Sequence, residues 1–264
     1  MFSVPGGLNA PRHIVKKDRL YRFKFKFEGI SHMISENEPL TPSPRVHSVL
    51  GDTKSDIVLL QPVDDHDLEG IEREFAEITN ICKKDFCLIA VKITDWNNDL
   101  SPWKAPAIFG NDGFGGGALN TLEEILKLCA DNSKTYYIGG YSLAGLFALW
   151  AAYQTDVFSG VAAASPSVWF PDFEEYMINN RIGTSAVYLS LGDREEKTRN
   201  PVMATVGDRI RNAHALLKER DVNCILEWNS GNHFKDADIR TAKAFAWLLN
   251  SPDPWTLGDG VRGS

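Results

Sequence analysis

Between Ser55 and Asn250 the chain alternates two kinds of segment, and this alternation limits the possible folds more than any other feature. Six short, nearly uninterrupted apolar runs, "DIVLLQP", "FCLIAVKI", "TYYIGGYS", "GVAAASPS", "AVYLSLGD" and "NCILEWNSG", read as strands covered on both faces. Between and after them lie "LEGIEREFAEITN", "TLEEILKLCAD", "LAGLFALWAAYQ", "FEEYMINN", "VMATVGDRIRNAHALLKERD" and "DADIRTAKAFAWLLN", which read as helices. Thr121 and Glu124 have the spacing of a capping box and set the expected start of "TLEEILKLCAD". A strand followed by a helix returns to the sheet by a right-handed crossover, which makes neighbouring strands parallel. The expected fold class is α/β, a mostly parallel central sheet with helices on both faces.

The first 54 residues have a different rhythm. In "YRFKFKF", Tyr21, Phe23, Phe25 and Phe27 alternate with Arg22, Lys24 and Lys26. That is the period of a half-buried strand, with lysines guarding a solvated outer face. "SENEPLTPSPR" is a polar, proline-rich loop. No internal repeat or linker divides the chain, so residues 1–264 are expected to form a single domain, with 1–54 its β-rich beginning.

Charge and composition narrow the function. With 28 Lys and Arg against 35 Asp and Glu, the net charge is −7, which disfavours nucleic acid and anionic membrane surfaces as partners. No run of apolar residues reaches the length of a membrane span, and "MFSVPGGLNA" lacks the charged and apolar regions of a secretory leader. Cys82, Cys87, Cys129 and Cys224 show no C-x-x-C spacing; they read as buried free thiols in a reducing, cytoplasmic setting. His66 in "DDHDLEG" sits among acids at a helix start rather than in a metal site. Neither metal nor cofactor is expected.

The chemistry gathers around "IGGYSLAGLFALWAAY". Gly140-Tyr141-Ser142-Leu143-Ala144 is a G-x-S-x-A segment between a strand and a helix, the setting of a nucleophile elbow. Such a turn strains the serine backbone and leaves room only for small neighbours, here Gly140, Ala144 and Gly145. The bland alternative for Ser142 is a helix N-cap. A nucleophilic serine needs a base and an acid, which follow in the order Ser…Asp/Glu…His in α/β-hydrolases. Among six histidines, His233 stands in "NSGNHFKDAD", between the last strand and the last helix, where an imidazole can reach over the serine. "YLSLGDREEKTRN" supplies Asp193, Glu195 and Glu196 as candidates for the orienting acid. Two backbone donors should hold an oxyanion: the N–H of Leu143, and that of Trp96 or Asn97 in the loop after an earlier strand.

Taken in order, G-Y-S-L-A-G, "SPSVW" (165–169), "LGDREE" and "GNHF" resemble the esterase-D-like branch of the α/β-hydrolases. That branch includes trilactone (enterochelin) siderophore esterases, feruloyl and acetyl esterases and S-formylglutathione hydrolases. The likeness runs from about Ser55 to Leu249; the first fifty residues have no match. The resemblance implies a serine hydrolase of small-molecule carboxylic esters, with Ser142 as nucleophile and His233 as base. The family's G-x-x-D/E acid position falls on Glu195. Ala144 stands where the family more often has glycine, a difference of one methyl group. Glu195 is preferred to Asp193, whose short side chain leaves the strand end too early. It is also preferred to Glu196, which would face the other way in an extended loop.

Three other readings remain at this stage. "DGFGGGALNTLEEI" approaches a dinucleotide fingerprint, but the segment before it, "WKAPAIF", is a poor strand, so a flexible loop near the active site fits better. A binding protein on a dead hydrolase fold would have lost Ser142 or His233. Acyl transfer to an acceptor other than water would use the same residues as hydrolysis. Tyr141 and Trp169 are assigned to a substrate pocket; Trp96, Trp103, Phe114 and Phe170 point to an apolar or aromatic acyl site, or equally to core packing.

Overall fold

The structure, a computed structural model, describes residues 45–251. The expected strand "YRFKFKF" lies outside them. The described chain runs β1 (Val46–Gly51), β2 (Ile57–Val63), α1 (Asp65–Ile81), β3 (Cys87–Lys92), α2 (Trp96–Asp99), β4 (Lys104–Ala105), β5 (Phe114–Gly115), α3 (Ala118–Lys127), β6 (Thr135–Tyr141), α4 (Leu143–Gln154), β7 (Phe158–Ala164), α5 (Phe173–Asn179), β8 (Ala186–Gly192), α6 (Val206–Glu219), β9 (Asn223–Asn229) and α7 (Ala237–Asn250). A short 3-10 turn, Met203–Thr205, leads into α6.

Seven strands form one sheet in the order β1-β3-β2-β6-β7-β8-β9. β1 is antiparallel to β3, and every other pairing in the sheet is parallel. The apolar runs are continuous because both faces are covered, yet each strand still alternates. In β7, Val161 and Ala163 enter the core under α3, α4, α5 and α6. Ala162 and Ala164 enter the core under α1 and α7. β4 and β5 make a separate two-stranded ribbon.

α4 is the innermost helix. Every residue from Leu143 to Ala152 is buried, so it has no solvated face, unlike amphipathic α1. Close packing explains the small residues at its start. A Cβ on Gly140 would lie 2.6 Å from the Ala144 Cβ, so the methyl group of Ala144 is accommodated only because residue 140 has none.

Two sequence expectations change. α3 begins at Ala118 after Gly117, not at Thr121. Thr121 is buried inside the helix, where its hydroxyl accepts from Arg45, and Glu124 pairs with the same arginine instead of closing a capping box. The earlier start follows from the glycines before it: Gly117 N–H donates to Asn98 O at 2.7 Å, and the glycine stretch lies against the Asn98 side chain. Those glycines therefore serve a close approach to α2 rather than to a phosphate. The second change is at 193–196, which forms a turn rather than an extended loop.

At the start of α1, the acids around His66 do as expected. Asp64 caps the helix through the Asp67 N–H at 2.8 Å, and Asp67 returns a bond to the Asp64 N–H. His66 itself is exposed and lies 3.7 Å from Glu69.

Candidate active site

Because β6, β7, β8 and β9 are parallel neighbours, the loops after them open on the same edge of the sheet. Ser142 follows β6, Ser165 and Ser167 follow β7, Glu195 follows β8, and His233 follows β9.

Ser142 has φ 57° and ψ −118°, a backbone region that L-residues rarely occupy. Three hydrogen bonds hold it there. Its N–H donates to Ala164 O at 3.1 Å, and its carbonyl accepts from Leu146 N at 3.0 Å and Ser167 N at 3.0 Å. The side chain makes no N-cap hydrogen bond. Instead, Ser142 Oγ lies 2.9 Å from His233 Nε2 and 3.3 Å from Ser167 Oγ.

The other imidazole nitrogen, His233 Nδ1, lies 2.7 Å from Glu195 Oε2. A carboxylate accepts, so Nδ1 carries the proton and Nε2 is left to accept from the serine hydroxyl. The second oxygen, Glu195 Oε1, accepts from Gly192 N–H at 2.7 Å, Ser165 Oγ at 2.8 Å and Arg240 Nη1 at 2.9 Å. Burial opposes ionisation of Glu195. The hydrogen bond and charge of His233, with the donors Gly192 and Ser165, outweigh it and hold the carboxyl below its usual range.

The structure brings together Ser142, His233 and Glu195 and leaves the rival acids elsewhere. Asp193 Oδ1 accepts from Gly231 N–H at 2.8 Å, tying the turn to the histidine loop, and Glu196 pairs with Arg211 at 3.2 Å. Leu143 and Trp96 each open a helix, α4 and α2, and the first N–H groups of a helix have no partner within it. Asn97, the second residue of α2, keeps its backbone N–H in the same first turn, while its side-chain amide donates to Asp112 O at 3.4 Å.

Tyr141 is only 7% exposed. Its hydroxyl donates to His233 O at 2.6 Å and accepts from Arg240 Nη1 at 3.0 Å. Burial, then the nearby Glu195 charge, push its pKa up to about 12, so it remains a neutral phenol. Trp169 lies in an aromatic layer, 6.0 Å from the Phe109 ring and 6.2 Å from Phe114, which in turn meets Phe170 edge-on at 5.1 Å. Phe109 at the rim is 49% exposed, and Phe234, edge-on to His233 at 5.6 Å, is 89% exposed.

Sequence reasoning missed Ser165 and Ser167 as individuals, although both lie in the quoted "SPSVW". It missed Arg240 altogether. The signal for Arg240 was present: it shares a helix face with Ala244 and Leu248, at i+4 and i+8, and both are buried. A charge in register with a core stripe needs a partner. Among the described residues no cluster of His, Cys, Asp and Glu could hold a metal ion, and no helix is long and apolar enough to cross a membrane.

No protein-family model matches the chain. It is similar to the uncharacterized protein YbbA of Bacillus subtilis (strain 168), with 22% identity over 62% of this chain and 73% of that one. Solved structures share its fold. An IroE-like serine hydrolase from Shewanella oneidensis superposes with a TM-score of 0.58 at 15% identity, covering 76% of this chain and 74% of that one. The siderophore hydrolase EstA from Aspergillus nidulans does so with 0.54 at 20% identity, covering 76% and 85%. The enterobactin esterase FES from Shigella flexneri gives 0.52 at 14% identity, and the match spans 76% of this chain but 54% of that longer one. The parallel sheet, its covering helices and these likenesses define an α/β-hydrolase fold.

Proposed function

We propose that this protein is a serine hydrolase that cleaves carboxylic esters of small molecules through an acyl-enzyme on Ser142. The observation that carries the proposal is the continuous hydrogen-bonded line from Ser142 Oγ through His233 to Glu195, at 2.9 and 2.7 Å, with each atom in a role that acyl transfer requires. His233 Nε2 takes the hydroxyl proton as Ser142 Oγ attacks the ester carbonyl. Glu195 holds the tautomer and steadies the imidazolium. The tetrahedral oxyanion is received by the N–H groups of Leu143 and Trp96. Collapse expels the alcohol, which takes the proton from His233. Water, activated by the same imidazole, then releases the acid and restores Ser142.

The aromatic layer of Phe109, Phe114 and Trp169 supports an apolar or aromatic acyl or alcohol group in the substrate. We place the enzyme in the cytoplasm, a setting that suits four buried, unpaired thiols. The deciding experiment has two arms. A fluorophosphonate probe should label wild-type protein at Ser142 and leave Ser142→Ala unlabelled. A panel of p-nitrophenyl acyl esters, aryl esters, acetylated sugars and a trilactone siderophore should show turnover that Ser142→Ala abolishes. The trilactone is included because two structural neighbours are named siderophore hydrolase and enterobactin esterase. Folded wild-type protein that takes up no probe and turns over no ester would favour a binding protein on a hydrolase fold.

A further inference from the structure

Arg240 is a large charged side chain with only 2% of its surface exposed, near the start of α7. Its guanidinium touches four parts of the site at once. Nη1 donates to Glu195 Oε1 at 2.9 Å, to Tyr141 Oη at 3.0 Å and to Ser165 Oγ at 3.3 Å. Nη2 donates to the carbonyls of Asn232 at 3.0 Å and Ser230 at 3.3 Å, in the loop that carries His233. One planar fork on one rigid helix thus fixes the residue before the nucleophile, the acid, and the segment that leads to the base.

We propose that Arg240 is a positioning residue that locks the Glu195 carboxylate with Oε2 toward His233 and balances the carboxylate's charge. This deepens the reading of Ser142, His233 and Glu195 as a hydrolytic triad and rests on it. The orientation follows from occupancy. Glu195 Oε1 already accepts from Gly192, Ser165 and Arg240, so only Oε2 is left for the imidazole, and the carboxylate cannot turn over without breaking three bonds. Glu195 and Arg240 are both buried and together neutral, so protonating His233 adds a net charge to a buried group. Without Arg240, the same proton would neutralise a lone buried carboxylate and would be held more tightly. The other titratable groups facing this set are Tyr141 from β6, Tyr188 from β8, Asp193 in the same turn and Lys235 beside Gly231. Among the described residues, the basic side chains that Glu195 pairs with are His233 and Arg240. Stability alone does not account for such a pair, since buried ion pairs are often no better than apolar packing.

The test uses full-length wild type, Arg240→Gln and Arg240→Lys, each checked for folding by near-ultraviolet circular dichroism. Two readouts are taken: NMR titration of the His233 ring, assigned with His233→Gln, and kcat and KM on a p-nitrophenyl ester. Arg240→Gln should raise the His233 midpoint by about one pH unit. It should also lower kcat at least about tenfold while leaving KM within about twofold. Arg240→Lys keeps the charge but not the fork; its midpoint should stay at the wild-type value while kcat falls several-fold. A folded Arg240→Gln whose midpoint is unchanged or lower, or whose kcat is unchanged, overturns the proposal. If the glutamine variant does not fold, Arg240→Lys decides: wild-type kcat overturns the proposal, and a several-fold loss at constant KM sustains it. If wild-type protein hydrolyses no ester, the triad reading fails separately, and the His233 titration still decides what Arg240 does.

Discussion

The phenol of Tyr141 is bonded to the backbone carbonyl of His233 at 2.6 Å, so the residue before the candidate nucleophile holds down the residue that carries the candidate base. The two are 92 positions apart in sequence, and their rings lie 5.1 Å apart. Tyr141→Phe removes this bond and one acceptor of Arg240 while keeping the ring. We expect a loss of about 1 kcal/mol in stability and a fall of about tenfold or more in kcat with KM little changed. Thermal melts and steady-state kinetics check this, and a wild-type kcat in the folded variant would show that the loop needs no such tether.

The acid is tested by three isosteric changes. Glu195→Gln should lower kcat by up to about 10⁴, because the amide no longer selects the required imidazole tautomer. Asp193→Asn should have a much smaller effect, since an amide oxygen still accepts from Gly231 N–H. Glu196→Gln should be near neutral, its loss being one half-exposed pairing with Arg211. If Glu196→Gln or Asp193→Asn is the damaging change instead, the assignment of the acid is wrong. If none of the three matters, the site works as a Ser142–His233 dyad.

Much of this arrangement is legible in sequence, for reasons that differ by residue. Ser142 is visible because an elbow requires glycine or alanine at fixed offsets around it, and steric rules of that kind are written locally. His233 is visible because it is the histidine between the last strand and the last helix. Glu195 is harder. An extended loop would set Glu195 and Glu196 on opposite sides, but the segment is a turn with Glu195 N–H bonded back to Gly192 O at 3.1 Å. The start of α3 was misplaced because the decisive partner, Asn98, sits in another helix. Edge strand β1 and the short helix α2 were not foreseen, since six and four residues carry too little periodicity.

Acidity acts on two buried glutamates with opposite sign. Glu195 is held below its usual range, so its ionised form stabilises the fold above the ordinary glutamate value, and that contribution is lost as pH falls through the depressed one. Glu74 is held well above its usual range by burial, against a hydrogen bond from Gln61 and with the charges of Asp67 and Asp238 adding to the rise. The fold favours its protonated form, and stability declines as pH climbs above the ordinary glutamate value. Glu74→Gln keeps an acceptor for Gln61, whose amide donates to it at 3.2 Å, and offers a donor to the otherwise unpartnered Gln61 Oε1. We expect Tm to rise by about 2–4 °C at pH 8, and to change little near pH 4. Melts at the two pH values check this, and equal destabilisation at both would rule the account out.

Ser142 itself is strained, which gives a prediction independent of turnover. Ser142→Gly should be more stable than Ser142→Ala by about 1–3 kcal/mol, because glycine tolerates φ 57° and alanine does not. Denaturant titration of the two variants measures it directly. Equal stability would mean that the elbow stores no backbone strain.

α4 is enclosed from Leu143 to Ala152, and the serine stands immediately before its first residue. A helix so enclosed cannot tilt or slide toward a substrate of a different shape without opening the core on its side of the sheet. The candidate nucleophile Ser142 is therefore a fixed datum in the molecule, and under the proposed function adaptation to a new ester would have to come from the surrounding rim. Phe109 and Phe234 are half to mostly solvent-exposed there, and neither is committed to the interior. Divergence among chains of this kind should thus be read in the rim loops, while the elbow stays the point from which every substrate's geometry is measured.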